Sequence, residues 1–238
     1  MLRETVTLTE LAYDVLWRHD ELGPQHSALA VDSPGATHTE RERLVDAVFR
    51  DLEQDGLADR RTPRSDVRRA LAVLAEPDSA YYGWFAAGPG RPATAVAATS
   101  RHGAVLATRS GGLIRLRGAA PDRPAEALVG RLPAARPGRG LSLNLRDTEV
   151  RDDRSLDGRT LRRMMAEPRL GVATLHTSRR DRVGRTLRAA EFLTVLDLPT
   201  GRWLVTTETD PAGQRWIMVN PGDDHTVARH LYRLNRSA

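Results

Sequence analysis

The chain has 238 residues, 40% apolar and 28% charged, with no cysteine and a net charge of +5, enough for a folded core and excluding a disordered chain, disulfides and thiolate metal sites. All 36 basic residues are arginine and they are interspersed with 31 acids, so charge by itself argues little for a nucleic-acid partner. No apolar run reaches the roughly 18 residues of a membrane helix, and the start Met1-Leu2-Arg3-Glu4-Thr5 lacks an apolar leader, so residence in the cytoplasm is expected.

In chain order, Glu4 to Leu8 alternates as a strand, and Leu11, Val15, Leu16 and Trp17 mark an amphipathic helix ending near Gly23-Pro24. Ala28 to Val31 reads as a short strand closed by Asp32-Ser33-Pro34-Gly35. Thr37 and Glu40 form a capping box for a helix carrying Leu44, Val45, Val48, Phe49 and Leu52. Thr62-Pro63 is expected to open a third helix, with Val67, Leu71 and Leu74 as its stripe and Glu76-Pro77 as its end.

Four short strands follow, Tyr81–Ala86, Thr94–Thr99, Ala104–Thr108 and Leu113–Arg117, then a helix over Ala125–Leu132. Pro133–Gly140 reads as a linker, and a strand resumes at Leu141, Leu143 and Leu145. Asp152 or Asp153 is expected to cap a helix that buries Leu156, Leu161, Met164 and Met165 and ends at Glu167-Pro168. A strand over Gly171–Thr177 leads into an arginine-rich loop, Ser178–Arg185. The runs Phe192–Leu198, Arg202–Thr207 and Arg215–Val219 form an antiparallel meander, because their turns are too short for crossovers. This meander is taken as the centre of the molecule. Asp223 or Asp224 caps a last helix with Val227, Leu231 and Leu234 on one face.

Two stretches share an order of parts. Ala75-Glu76-Pro77 and Ala166-Glu167-Pro168 both end a helix, and each is followed by short strands and one helix. The expectation is an α+β fold, a quasi-two-fold repeat around a central antiparallel β-sheet. It would be a single domain over 1–238, with similar halves at about 1–135 and 140–238.

No catalytic constellation emerges. There is no Gly-x-Ser-x-Gly, no phosphate loop, and His225 and His230 stand off a common helix face. No enzyme activity, metal or cofactor is expected. Three features suit binding instead. Gly88, Pro89 and Arg91 lie in a proline-stiffened connection between strands. Arg179 and Arg182 lie in the arginine-rich loop, which reads either as a solvated tip or as a grip on an acidic partner. Trp203 and Trp216 are read as core, and would be anchors if exposed.

Several segments resemble the EspG family of ESX (type VII) secretion-associated proteins. These are Leu8-Thr9-Glu10 with Tyr13-Asp14-Val15-Leu16-Trp17, Glu40-Arg41-Glu42-Arg43-Leu44-Val45, Ala104-Val105-Leu106-Ala107, and Val195-Leu196-Asp197-Leu198-Pro199-Thr200-Gly201-Arg202-Trp203-Leu204-Val205. The resemblance implies a quasi-two-fold sheet flanked by helical bundles. It also implies a cytosolic chaperone that binds the tip of a PPE protein in a PE–PPE heterodimer and keeps it from aggregating. It sets a partner-binding loop at Gly88–Pro92, with sheet and C-terminal helical residues completing the surface. The competing function is an arginine-dependent nucleic-acid binder, distinguished by a steep salt dependence.

Overall fold

A computed structural model of the chain describes residues 2–35, 37–87 and 92–238. β1 (Val6–Thr9) runs directly into α1 (Glu10–His19), where the Thr9 hydroxyl accepts the Ala12 N–H at 3.0 Å. α2 (His38–Gln54) starts from Thr37, whose hydroxyl accepts from the Glu40 N–H. Ala28–Val31 forms a turn and not the expected strand. Ala28 and Leu29 are both buried, so the alternation a strand requires is lost. Thr62-Pro63 does not open a helix either. Arg60 and Arg61 take φ of 45° and 60°, a tight reversal that lays β3 (Thr62–Pro63) against β2 (Ala58–Asp59). α3 (Ser65–Ala75) begins only after it.

The strands β4 (Ser79–Ala87), β5 (Ala93–Ser100), β6 (Gly103–Ser110) and β7 (Leu113–Gly118) lead to α4 (Pro124–Val129). Then come β8 (Leu143–Arg146), a 3-10 turn over Asp147–Arg151, and α5 (Leu156–Met165). Ser155 caps α5 by accepting from the Gly158 N–H. Neither Asp152 nor Asp153 does so, because the 3-10 turn keeps both a step upstream: Asp152 accepts from the Arg154 N–H and Asp153 pairs with Arg162. The chain ends with β9 (Gly171–Arg180), β10 (Thr186–Arg188), β11 (Leu193–Leu198), β12 (Gly201–Thr209), β13 (Arg215–Pro221) and α6 (Asp224–Ser237). Asp223 and Thr226 close a reciprocal capping box on α6.

Among the described residues, eleven strands form one antiparallel sheet in the order β1-β7-β6-β5-β4-β9-β11-β12-β13-β8, with β10 beside β9. The meander β11-β12-β13 is therefore one flank. The centre is the β4–β9 pair, registered from Ser79↔Arg179 to Ala87↔Gly171. Joining two open strand edges in this way leaves only the short β1 and β8 at the rims of the main path.

Helices cover both faces. On one face, Trp17, Phe49 and Leu71 of α1–α3 pack on Tyr82, Val96, Ile114 and Leu116. On the same face, further along, Leu161 and Met164 of α5 pack on Leu196, Leu198, Trp203 and Val219. On the opposite face, Leu128 of α4 and Leu231 of α6 share a core with Leu106, Leu175, Val195 and Leu204. Residues 133–140 are not a free linker. Arg202 donates its backbone N–H to Arg136 and accepts from Gly138, which docks the segment along β12.

Candidate functional site

Between the α1–α3 cover and α5, the sheet face is open. β9 shows this by alternation: Ala173 and Leu175 are buried under the opposite helices, while Val172, Thr174 and His176 are half-exposed. Register carries the same face sideways. Thr174 lies opposite Trp84 on one side and Thr194 on the other, and Thr194 lies opposite Val205.

Aromatic rings gather at the centre of this strip. His176 stacks on Tyr82 at 5.5 Å with 15° between planes, and on Phe192 at 5.2 Å. Trp84 meets His176 edge-on at 5.5 Å and Tyr82 at 6.0 Å. His26, in the turn after α1, meets Tyr82 edge-on at 4.6 Å. Cross-strand pairing of Tyr82 with His176 brings the rings into stacking range. Trp84 and Phe192 are each 41% exposed. Burial lowers the pKa of His176, and burial with nearby Arg188 pushes His26 down to about 4. The row is therefore uncharged at neutral pH.

More apolar side chains lie exposed around α5 on the same face. Leu141 is 87% exposed, and Leu156, Met165 and Leu170 are also open to solvent. A groove of about 370 Å³ runs between α5 and the stretch before β8, over Met164 and Trp203. Scattered exposed leucines are ordinary, but a run of exposed aromatic and aliphatic side chains on one face is what a protein-binding surface requires.

Gly88, Pro89 and Arg91 lie outside the described residues. The expected arginine-rich loop is shorter than its sequence suggests. β9 extends to Arg180 and pairs with β10, leaving 181–185 as the tip, closed by the Asp181 carboxylate accepting from the Val183 and Arg185 N–H groups. Arg179 is half-buried in β9 and donates to the Ala238 oxygen at 2.7 Å, while Arg182 is exposed at the tip. Ala87 pairs with Gly171 and Ser79 with Arg179, so the end of β4 and Arg179 stand about 26 Å apart at ~3.3 Å per residue.

Trp203 is core, at 3% exposure, and Trp216 is half-buried with its indole N–H donated to Asp210. Residue reasoning missed Trp84, His176 and Phe192. The alternation Tyr82, Trp84 was readable, but the partner strand that sets His176 beside them was not. Among the described residues no group of three His, Asp or Glu side chains is placed to hold a metal, and no helix is long and apolar enough to cross a membrane.

The sequence matches the EspG family over residues 9–233. Among solved structures the chain is similar to one in the structure of the Mycobacterium tuberculosis type VII secretion system chaperone EspG5 in complex with the PE25-PPE41 dimer. The TM-score is 0.73 at 14% identity, covering 97% of this chain and 95% of that one. At this identity the likeness is one of fold. No curated protein matches the chain.

Proposed function

The chain belongs to the EspG family, and from that membership we propose that it is a cytosolic chaperone of a type VII secretion system, binding a PE–PPE-like helical substrate and keeping its apolar tip soluble. The observation that carries this reading is the uncovered strip of sheet between α1–α3 and α5, with Trp84 and Phe192 exposed at its centre. A helical tip presented before export needs its apolar residues shielded. A rigid sheet face with aromatic anchors does so without ordering new structure. Such an interface buries on the order of 1,200–2,000 Å². The protein acts by binding and not by catalysis.

Gly88, Pro89 and Arg91 belong to this proposal as client contacts, since β4, the strand carrying Trp84, leads directly into them. Arg182 is a peripheral contact, and Arg179 supports the β9 end through Ala238. The chain is further proposed to be a single domain of two related halves. Supporting this, the sheet order reads β1-β7-β6-β5-β4 from one rim and β8-β13-β12-β11-β9 from the other; in each series the rim strand precedes, and the remaining strands follow, a helix closed by Glu-Pro.

The test is co-expression with a PE–PPE heterodimer encoded beside its gene. A stoichiometric complex on gel filtration, weakened by Arg91→Glu and by Trp84→Ala, is the expected result. Failure to capture the heterodimer, with single-stranded nucleic acid bound instead along a steep salt slope, would replace the chaperone reading.

A further inference from the structure

On the face opposite the aromatic strip, α6 lies along the sheet and leaves a groove of about 600 Å³ between itself and the outer strands β12 and β13. α6 is a firm wall. Val227, Leu231 and Leu234 are buried beneath it, and its first turn is closed by the Asp223–Thr226 capping box. Its exposed side carries Arg229, Arg233 and Arg236, a stripe at i, i+4 and i+7 that lines the groove. Across from them stand hydroxyl and amide groups of Thr206, Asn220 and Ser142.

Charge is unbalanced here. No Asp or Glu lines the groove. Among the described residues Arg229 and Arg236 form no ion pair, and Arg233 has only a distant one, 3.8 Å from Glu208 at the rim. Some arginines elsewhere are matched, as Arg41 and Arg18 are by Asp14 and Arg109 by Glu10. Three guanidinium groups on a fixed helix, facing neutral hydrogen-bonding groups, form a site for carboxylates.

We propose that this groove is a second interaction site, which takes an acidic polypeptide segment of a partner protein on the face away from the client surface. A peptide fits it better than a nucleic acid does. The groove is lined by no Phe, Tyr or Trp on which a base would stack, its one ring, His230, is held against Arg233, and its sheet side offers the apolar Leu204 and Met218 between the polar groups. Because the two sites lie on opposite faces, one molecule holds a client and an acidic partner at once.

The experiment uses the full chain and a fluorescein-labelled deca-glutamate peptide, followed by anisotropy at low salt. Wild type is expected to bind, and the triple variant Arg229→Ser, Arg233→Ser, Arg236→Ser to bind about tenfold or more weakly. Glu208→Gln, which frees Arg233, is expected to tighten binding. Trp84→Ala binds the peptide as wild type does, and the triple variant still captures a PE–PPE heterodimer, so this site and the client site fail or succeed separately. Unchanged melting temperatures show that each variant is folded. No peptide binding by wild type, or equal binding by the triple variant, overturns the proposal. So does a single-stranded oligonucleotide that binds more tightly than the peptide and is lost with the same arginines.

Discussion

Asp197 and Arg202 face each other across the β11–β12 hairpin, both out of water. Two charge-assisted hydrogen bonds join them, Nε to Oδ1 at 2.7 Å and Nη2 to Oδ2 at 3.0 Å. The same guanidinium donates to the Pro133 carbonyl at 2.6 Å and to Asp224 at 2.5 Å. One side chain thus holds the hairpin, the 133–140 segment and the start of α6 together. Removing it leaves the Asp197 carboxylate buried without its partner. Arg202→Met is therefore expected to lower stability by about 3–5 kcal/mol, and the double change with Asp197→Leu to recover part of that. Urea denaturation of the three proteins checks it.

Acid should loosen the fold in a defined window. Burial, with the positive field of Arg188, pushes His26 from 6.5 to about 4, and burial with Arg233 does the same to His230. A histidine with a depressed folded pKa binds its proton more readily when unfolded. Its contribution is complete above pH 6.5 and is lost as pH falls toward 4. Asp14 adds to this at lower pH. Burial alone would raise its pKa, but hydrogen bonds from Arg41, Ser33 and Arg18 prevail and lower it, so its contribution fades as the carboxylate protonates. Melting temperature is expected to fall from pH 6.5 to 4, and to fall less steeply in His26→Gln.

Client affinity should reside in the aromatic row. Trp84→Ala and Phe192→Ala are each expected to weaken binding of a PE–PPE heterodimer by about 2–4 kcal/mol. Both side chains are 41% exposed, so the melting temperature should change little. Calorimetric titration beside a melting curve separates the two effects. Large unfolding with no change in affinity would assign these rings to the core and not to the client surface.

Gly83 is required at the middle of the sheet. A Cβ there would lie 2.6 Å from Leu175 Cδ2 and 2.6 Å from the Thr174 carbonyl oxygen. Gly83→Ala should cost about 1–3 kcal/mol through overpacking. If the halves form a single domain through the β4–β9 pair, wild type and variant both unfold in one transition. Two separated transitions in the variant would mean that the halves fold independently.

The strands and helices were largely legible in the sequence, because their signals are local. Thr9 before α1, Thr37 before α2 and Asp223 before α6 cap helices that the apolar spacing had already indicated. Tight turns fixed the antiparallel order of β5 to β7 and of β11 to β13. The EspG-like segments, too, are short runs along the chain. The expected elements failed at the left-handed reversal of Arg60-Arg61, which took Thr62-Pro63 out of a helix, and where a neighbour in space decided the outcome, as when Arg202 drew residues 133–140 onto the sheet. The site belongs to the same category. Tyr82, Trp84, His176 and Phe192 are far apart in the chain and carry no common motif, and only the β4–β9 register makes them one surface. Composition and periodicity determine which face of each strand is apolar, since that follows from alternation. Which apolar face stays uncovered depends on where the helices pack, and that is a property of the tertiary structure alone.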